Sequence, residues 1–155
     1  MTPAIKLLKK AKITHKVHQY EHDSAAESYG LEAAEKLSVD PAQVFKTLML
    51  KLDDNSLCVA ILPVGSMLSM KRLAKALNAK KAAMADKLEV ERVSGYVPGG
   101  VSPLGQKKRL RTVLDVSAEN FQTIFVSAGK RGLEIEISPQ QLMGLLSIVP
   151  AHICQ

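Results

Sequence analysis

Apolar positions change period several times along the chain, and the changes outline its elements. Ile5, Leu8 and Ala11 fall on one helical face behind Thr2-Pro3, an N-cap followed by proline at the first helical position. That pattern predicts a helix from Pro3 to about Lys12. A short strand is expected over 16–21. Leu31, Ala34 and Leu37 repeat the helical period across Glu27 to Leu37. Asp40-Pro41 opens a brief turn, and the run VFKTLMLKL from Val44 to Leu52 reads as a strand buried on both faces. Asp53, Asp54 and Asn55 turn the chain into a second apolar strand, Leu57 to Pro63.

Downstream, Ser69 caps a helix that runs to Leu77 and ends near Asn78. Asp86 with Glu89 three residues later has the pattern of a capping box, and Gly95 closes the helix they start. Strands over 112–115, 123–127 and 133–137 precede a last helix, opened by Ser138-Pro139 and running to about Leu146. Helices and strands are mixed without regular alternation. The expected class is therefore α+β: one domain over 1–155, with helices flanking a curled, barrel-like, mostly antiparallel mixed sheet rather than a doubly wound one. No internal repeat, linker or low-complexity tract is present.

Composition narrows the classes of function. With 155 residues, 46% of them hydrophobic, and a mean hydropathy of +0.03, the chain has the length of one domain and is too apolar for disorder. No apolar run approaches the ~20 residues that span a bilayer, and the first residues lack a signal-peptide pattern, so a cytoplasmic protein with no membrane partner is expected. The two cysteines, Cys58 and Cys154, lie outside any CxxC pair, which excludes a zinc knuckle. Aromatic residues make up 4% of the chain and Trp is absent, which counts against base-stacking platforms. Lys and Arg total 21 against 15 Asp and Glu, a net charge of +6. That excess fits a polyanionic partner or an ordinary solvated surface about equally; clustering at 71–81, 107–111 and 130–131 favours the polyanion.

Several candidate centres fail on spacing. Gly100 and Gly105 have the two-glycine spacing of a P-loop, but Gln106 follows the second glycine and Lys107 precedes Lys108 rather than Ser or Thr. His15, His18 and His22 would share a helical face, yet the local sequence reads as a strand, which splits them, and no fourth ligand is evident; neither metal nor cofactor is expected. No GxSxG elbow occurs, and Cys58 sits in the apolar run CVAIL as a buried small hydrophobe. Lys46 is the outlier. Within VFKTLML it either snorkels out from an edge strand or lies on the wall of a pocket and holds an anion or developing oxyanion, because an unpaired buried ammonium is costly.

Taken together, Met1-TPAIKLLKK, Phe45-Lys46-Thr47-Leu48, Gly99-GVSPLGQKKR and Ser127-AGKRGLEIEI resemble the bacterial YbaK family of Cys-tRNA(Pro) deacylases over nearly the whole chain. These are freestanding relatives of the editing domain of prolyl-tRNA synthetases. The segment from Gly99 to Arg109 is the most specific; Ala128 stands where many relatives have glycine, and Glu134 where some have Asp. The resemblance implies a hydrolase that clears cysteine mischarged on proline tRNA, with the substrate's own thiol attacking its carbonyl and no cofactor or protein nucleophile. It implies aminoacyl-tRNA as partner, prolyl-tRNA synthetase in a ternary complex, and no DNA. A deacylase preferring Ala or Ser and a non-catalytic tRNA-binding module are the alternatives.

By the same resemblance Lys46 is the essential lysine and Gly99 the loop glycine beside the scissile bond. Tyr20, Ser127 and Glu134 match further pocket positions, flanked by Phe45 and Thr47. Gly99, Gly100, Val101, Ser102 and Pro103 are expected to bring backbone close to the ester and aim N–H groups at an oxyanion. Lys107, Lys108, Arg109, Lys130 and Arg131 are expected to meet tRNA phosphates.

Overall fold

The computed structural model of the chain describes residues 1–26 and 28–155. Its first half runs α1 (Pro3–Lys10), β1 (Lys16–Gln19), α2 (Tyr29–Lys36), β2 (Phe45–Leu52), β3 (Leu57–Pro63) and α3 (Met70–Ala76). Its second half runs β4 (Ala82–Met84), α4 (Lys87–Ser94), β5 (Arg111–Asp115), β6 (Ile124–Lys130), β7 (Leu133–Ile137), α5 (Pro139–Leu145) and β8 (Ile148–Ala151). No helix among the described residues is long and apolar enough to cross a membrane.

The strands form two sheets. One has the order β1-β7-β6, antiparallel throughout; the other has the order β4-β2-β3-β5-β8. In the second, β2 pairs antiparallel with β3 and β4, while β3, β5 and β8 run parallel. An isolated parallel bridge between Val44 and Phe125 links the sheets, and no ladder continues between β2 and β6 beyond it. The expectation of a barrel-like sheet is thus corrected: the sheets touch and then part, and the circuit does not close. The α+β class and the mainly antiparallel pairing stand.

Strand alternation divides the interior. In β7, Leu133, Ile135 and Ile137 turn to a core shared with Ile124, Val126 and Ala128 of β6 and with Ile5 and Leu8 of α1. The alternate residues, Glu134 and Glu136, face the other way, beside their register partners Ser127 and Phe125. Helix α2 covers part of that second face, packing Ala33 and Ala34 against Val44, Val64 and Phe125. In β2, Phe45 and Met49 enter the first core, while Leu48, Leu50 and Leu52 join Leu73 of α3 and Ile153 in another.

Several boundaries differ from the sequence expectation. Helix α1 stops at Lys10, because the chain reverses at Lys12 with φ +55°. The second helix runs Tyr29–Lys36 behind an N-cap at Ser28; Glu27, its expected start, lies outside the described residues. Asp86 does cap α4, accepting from the Leu88 N–H, but Glu89 does not complete a capping box and instead pairs with Lys51 at 2.8 Å. Strands β4 and β8 were not expected. Both are short edge strands created by pairing with β2 and β5, and β8 contains Pro150, which an edge tolerates.

Candidate active site

A cleft of about 340 Å3 opens where β2 and β6 part. Residues Phe45 to Leu48 form one wall, and they leave the double burial expected of the whole strand: Lys46, Thr47 and Leu48 are only partly buried. Lys46 donates from Nζ to the carbonyl oxygen of Ser66 at 2.7 Å, with that of Val64 at 3.5 Å. No carboxylate pairs with it among the described residues. Burial lowers its pKa below the ordinary lysine value, and the thiol of Cys154 acts in the opposite sense. Beside it, Thr47 Oγ1 is buried and has no hydrogen-bond partner among the described residues.

The opposite wall comes from the three-stranded sheet. Glu134 and Ser127 are direct register partners, so their side chains emerge together into the cleft. Glu134 is only 7% exposed, and burial pushes its carboxyl up to about 8, keeping it protonated at neutral pH. Tyr20, just past β1, has its hydroxyl pushed up to about 12, first by burial and then by the Glu134 charge. Ser127 Oγ accepts from the Gly129 N–H at 3.0 Å, and among the described residues neither it nor Thr47 is paired with a base.

The rim carries residues that sequence reasoning missed. Ser28, Tyr29 and Gly30 bring the start of α2 to the cleft, and Val64 closes its floor. Arg131 stacks its guanidinium 3.7 Å above the Tyr29 ring, and His22 meets that ring edge-on at 5.7 Å. His22 is itself fixed by Glu32, Nδ1 to Oε1 at 2.6 Å. Gly99 adopts φ +86°, and a Cβ there would lie 2.6 Å from the Tyr29 ring and 3.0 Å from Arg131. The one signal in the sequence was Ser28, an N-cap residue followed by one of only three tyrosines.

The structure sorts the expected residues. Lys46, Gly99, Tyr20, Phe45, Thr47, Val101, Ser127, Glu134, Lys130 and Arg131 line the cleft. Gly100, Ser102 and Pro103 do not, and the expectation that they face the ester is corrected. Gly100 N–H is spent on the Val97 carbonyl at 3.0 Å, Ser102 is fully buried, and Pro103 lies in a separate groove with Leu7. The reason is a turn at 97–100, after which the chain passes beneath α1. Lys107, Lys108 and Arg109 are also away from the cleft: Lys107 packs across Gly95, and the other two line the same groove as Pro103. The histidines are used singly, His15 on the Ile13 carbonyl, His18 on Glu136 and His22 on Glu32. Cys58 is buried, its thiol pushed up to about 11 by burial.

Residues 24–145 match the aminoacyl-tRNA editing domain family. The chain belongs to that family. A protein of Enterococcus faecalis, provisionally named Cys-tRNA(Pro)/Cys-tRNA(Cys) deacylase EbsC, is 35% identical over 147 residues, 93% of this chain and 87% of its own. Two solved structures share the fold. One, a protein called APE2540, has a TM-score of 0.88 at 20% identity and covers 99% of both chains. The other, described provisionally as a trans-editing enzyme for prolyl tRNA synthetase, has a TM-score of 0.87 at 18% identity over 99% of this chain and 95% of that one. In this editing domain, three cationic side chains (Lys46, Lys130 and Arg131) line a cleft whose buried carboxyl, Glu134, is pushed toward its neutral form by burial.

Proposed function

We propose that the cleft hydrolyses the ester of a misacylated tRNA, with Cys-tRNA(Pro) as substrate. The observation that carries the reading is the meeting of Lys46, Thr47, Ser127 and Glu134 in one cleft of a chain that belongs to the aminoacyl-tRNA editing family. The name of the 35%-identical relative from E. faecalis supports cysteine as the amino acid. Lys130 and Arg131 meet the phosphates next to the terminal adenosine, and Tyr29 with Arg131 borders its base.

In this mechanism the substrate's thiol sulfur bonds to its own carbonyl carbon. The ester C–O bond then breaks, and the terminal ribose hydroxyl leaves with the proton the thiol gave up. Water opens the strained thiolactone to free cysteine. Lys46 polarises the carbonyl or holds the terminal phosphate, an electrostatic contribution that needs no nucleophile from the protein. Glu134 accepts the substrate's α-ammonium, a cation that draws its carboxyl back to the ionised form. Prolyl-tRNA synthetase, in a ternary complex, supplies the choice of tRNA.

Single-turnover deacylation of Cys-, Ala- and Ser-tRNA(Pro) by the purified protein tests the reading. Cys-tRNA(Pro) is expected to be cleared fastest. Equal rates on all three would overturn thiol assistance, and no hydrolysis of any would leave a tRNA-binding module.

A further inference from the structure

The cationic residues absent from the cleft gather elsewhere. Three segments of the chain carry no carboxylate side chain at all: Met1 to Lys16, Arg92 to Leu114, and Ile137 to Gln155. The first holds Lys6, Lys9, Lys10, Lys12 and Lys16; the second holds Arg92, Lys107, Lys108, Arg109 and Arg111. Folding brings these segments together. Gly105 passes so close to α1 that an added Cβ would lie 2.7 Å from Pro3, and Leu7 of α1, Lys108, Arg109 and Leu145 of α5 line one groove of about 200 Å3. Pro3, Leu7 and Lys10 share a stripe of the helix, so Lys10 continues the line of that groove.

These cations are not spent within the molecule. Lys6, Lys9, Lys10, Lys108 and Arg109 are exposed, and among the described residues none of them has a carboxylate at ion-pairing distance. Arg109 donates only to the backbone carbonyl of Leu145. Among the described residues, then, five exposed cations stand without a carboxylate partner, where an ordinary solvated surface intersperses both signs. Lys9 and Lys10 each lie one turn from Lys6, at i+3 and i+4, with about 5–6 Å between those positions, a spacing that lets the side chains reach separate phosphates. One backbone segment joins this face to the cleft: Val101 lines the cleft and Lys108 the groove. Seven residues at ~3.6 Å each keep the two within about 25 Å, less than a turn of duplex at roughly 34 Å.

We propose that α1 and residues 108–109 form a docking face for the phosphate backbone of a base-paired RNA, distinct from the cleft that takes its single-stranded end. The inference rests on the tRNA reading above for the identity of the nucleic acid. Its contribution is to substrate binding and not to bond cleavage.

The test uses the full chain with Lys6, Lys9 and Lys10 changed together to Gln, a second variant with the same three changed to Arg, and a third with Lys108→Gln and Arg109→Gln. Binding of a base-paired RNA hairpin is followed by fluorescence anisotropy from 50 to 200 mM salt. Each lost contact is expected to flatten the slope of log affinity against log salt by about one unit, with affinity at low salt falling roughly tenfold or more in both Gln variants and retained in the Arg variant. An unchanged slope and affinity in the Gln variants overturns the docking face. So does an equal loss in the Arg variant, which would assign the effect to structure and not to charge. Hydrolysis of Cys-tRNA(Pro), which carries both the single-stranded end and the duplex, is measured in parallel with protein in excess. Failure of the wild-type protein on that substrate sinks the deacylase reading, while hairpin binding still decides the face.

Discussion

The ammonium of Lys46 rests on the carbonyl oxygen of Ser66 at 2.7 Å, and the loop that carries Ser66 is held by residues 153–155. Ser69 N–H donates to the Ile153 carbonyl at 2.7 Å, and Gln155 N–H to that of Met67 at 2.9 Å. Asp115 in turn accepts from the Ile153 N–H at 3.0 Å. The acceptors of Lys46 are therefore neutral backbone groups on a braced loop. They orient the ammonium without cancelling its charge, which leaves that charge available to an anion in the cleft.

Replacing Lys46 should separate function from folding. Lys46→Ala leaves two carbonyls short of a donor but also relieves the desolvation of a partly buried charge. With the two effects opposed, its stability should stay within about 1 kcal/mol of wild type. Turnover should fall about a hundredfold or more, the usual loss for one electrostatic contact in an active site. Lys46→Arg should recover little, since its planar fork does not fit acceptors arranged around a compact ammonium. Thermal melts beside single-turnover deacylation check both halves; near-normal turnover by a well-folded Ala variant would make Lys46 a structural residue.

Gly99→Ala places its Cβ against the Tyr29 ring and Arg131, at a φ that disfavours any side chain. The expected result is a lower turnover with RNA affinity less affected. Adding Tyr29→Ala should relieve the clash but not the backbone strain, which is of order 1–3 kcal/mol. Tyr29→Ala alone is the reference: if Gly99→Ala costs as much in that background as in wild type, crowding of Tyr29 is not the cause.

Glu134 predicts a pH dependence of stability. Its folded pKa of about 8 stands above the ordinary 4.5, so between those values the folded protein holds a proton that the unfolded chain has released. Stability from this group is full below about 4.5 and is lost as pH rises through about 8, at up to about 1.4 kcal/mol per pH unit. Glu134→Gln should remove that component. Melting temperatures at pH 5 and 8.5 for both proteins decide it: parallel curves would mean the carboxyl ionises normally.

Gly105→Ala tests the passage beneath α1. The added Cβ would sit 2.7 Å from Pro3 backbone, with φ at +69°, and the atom it meets cannot swing aside. A loss of roughly 1–3 kcal/mol is expected, large for one methyl group. Since Gly105 is outside the cleft, turnover at a temperature where the variant is still folded should remain near wild type.

Much of the architecture was legible in the sequence because its signals are local. Thr2, Ser69 and Ser138 each accept the expected N–H of the first helical turn, from Ile5, Arg72 and Gln141. Strands Leu57–Pro63 and Leu133–Ile137 fall where their apolar patterns end. Lys46 stood out for a reason that survives folding, a charge amid apolar neighbours that must find acceptors. The acceptors themselves were not legible: they are main-chain carbonyls of a loop about 20 residues away, and any sequence supplies those.

The sequence by itself determined the α+β class, the capped helices, the isolated lysine and the stretches free of carboxylates, because each depends on residues within a few positions of one another or on composition. Only the tertiary structure decided that the sheets part instead of closing, that edge strands form at 82–84 and 148–151, and that Tyr29 and Arg131 meet over Gly99. It also decided which half of the glycine-rich segment faces the cleft: Gly99 and Val101 do, while Ser102 and Pro103 turn under α1. Those outcomes follow from pairing and close approach between residues far apart in the chain, and hydrophobic burial, being non-directional, does not specify such partners from a local pattern alone.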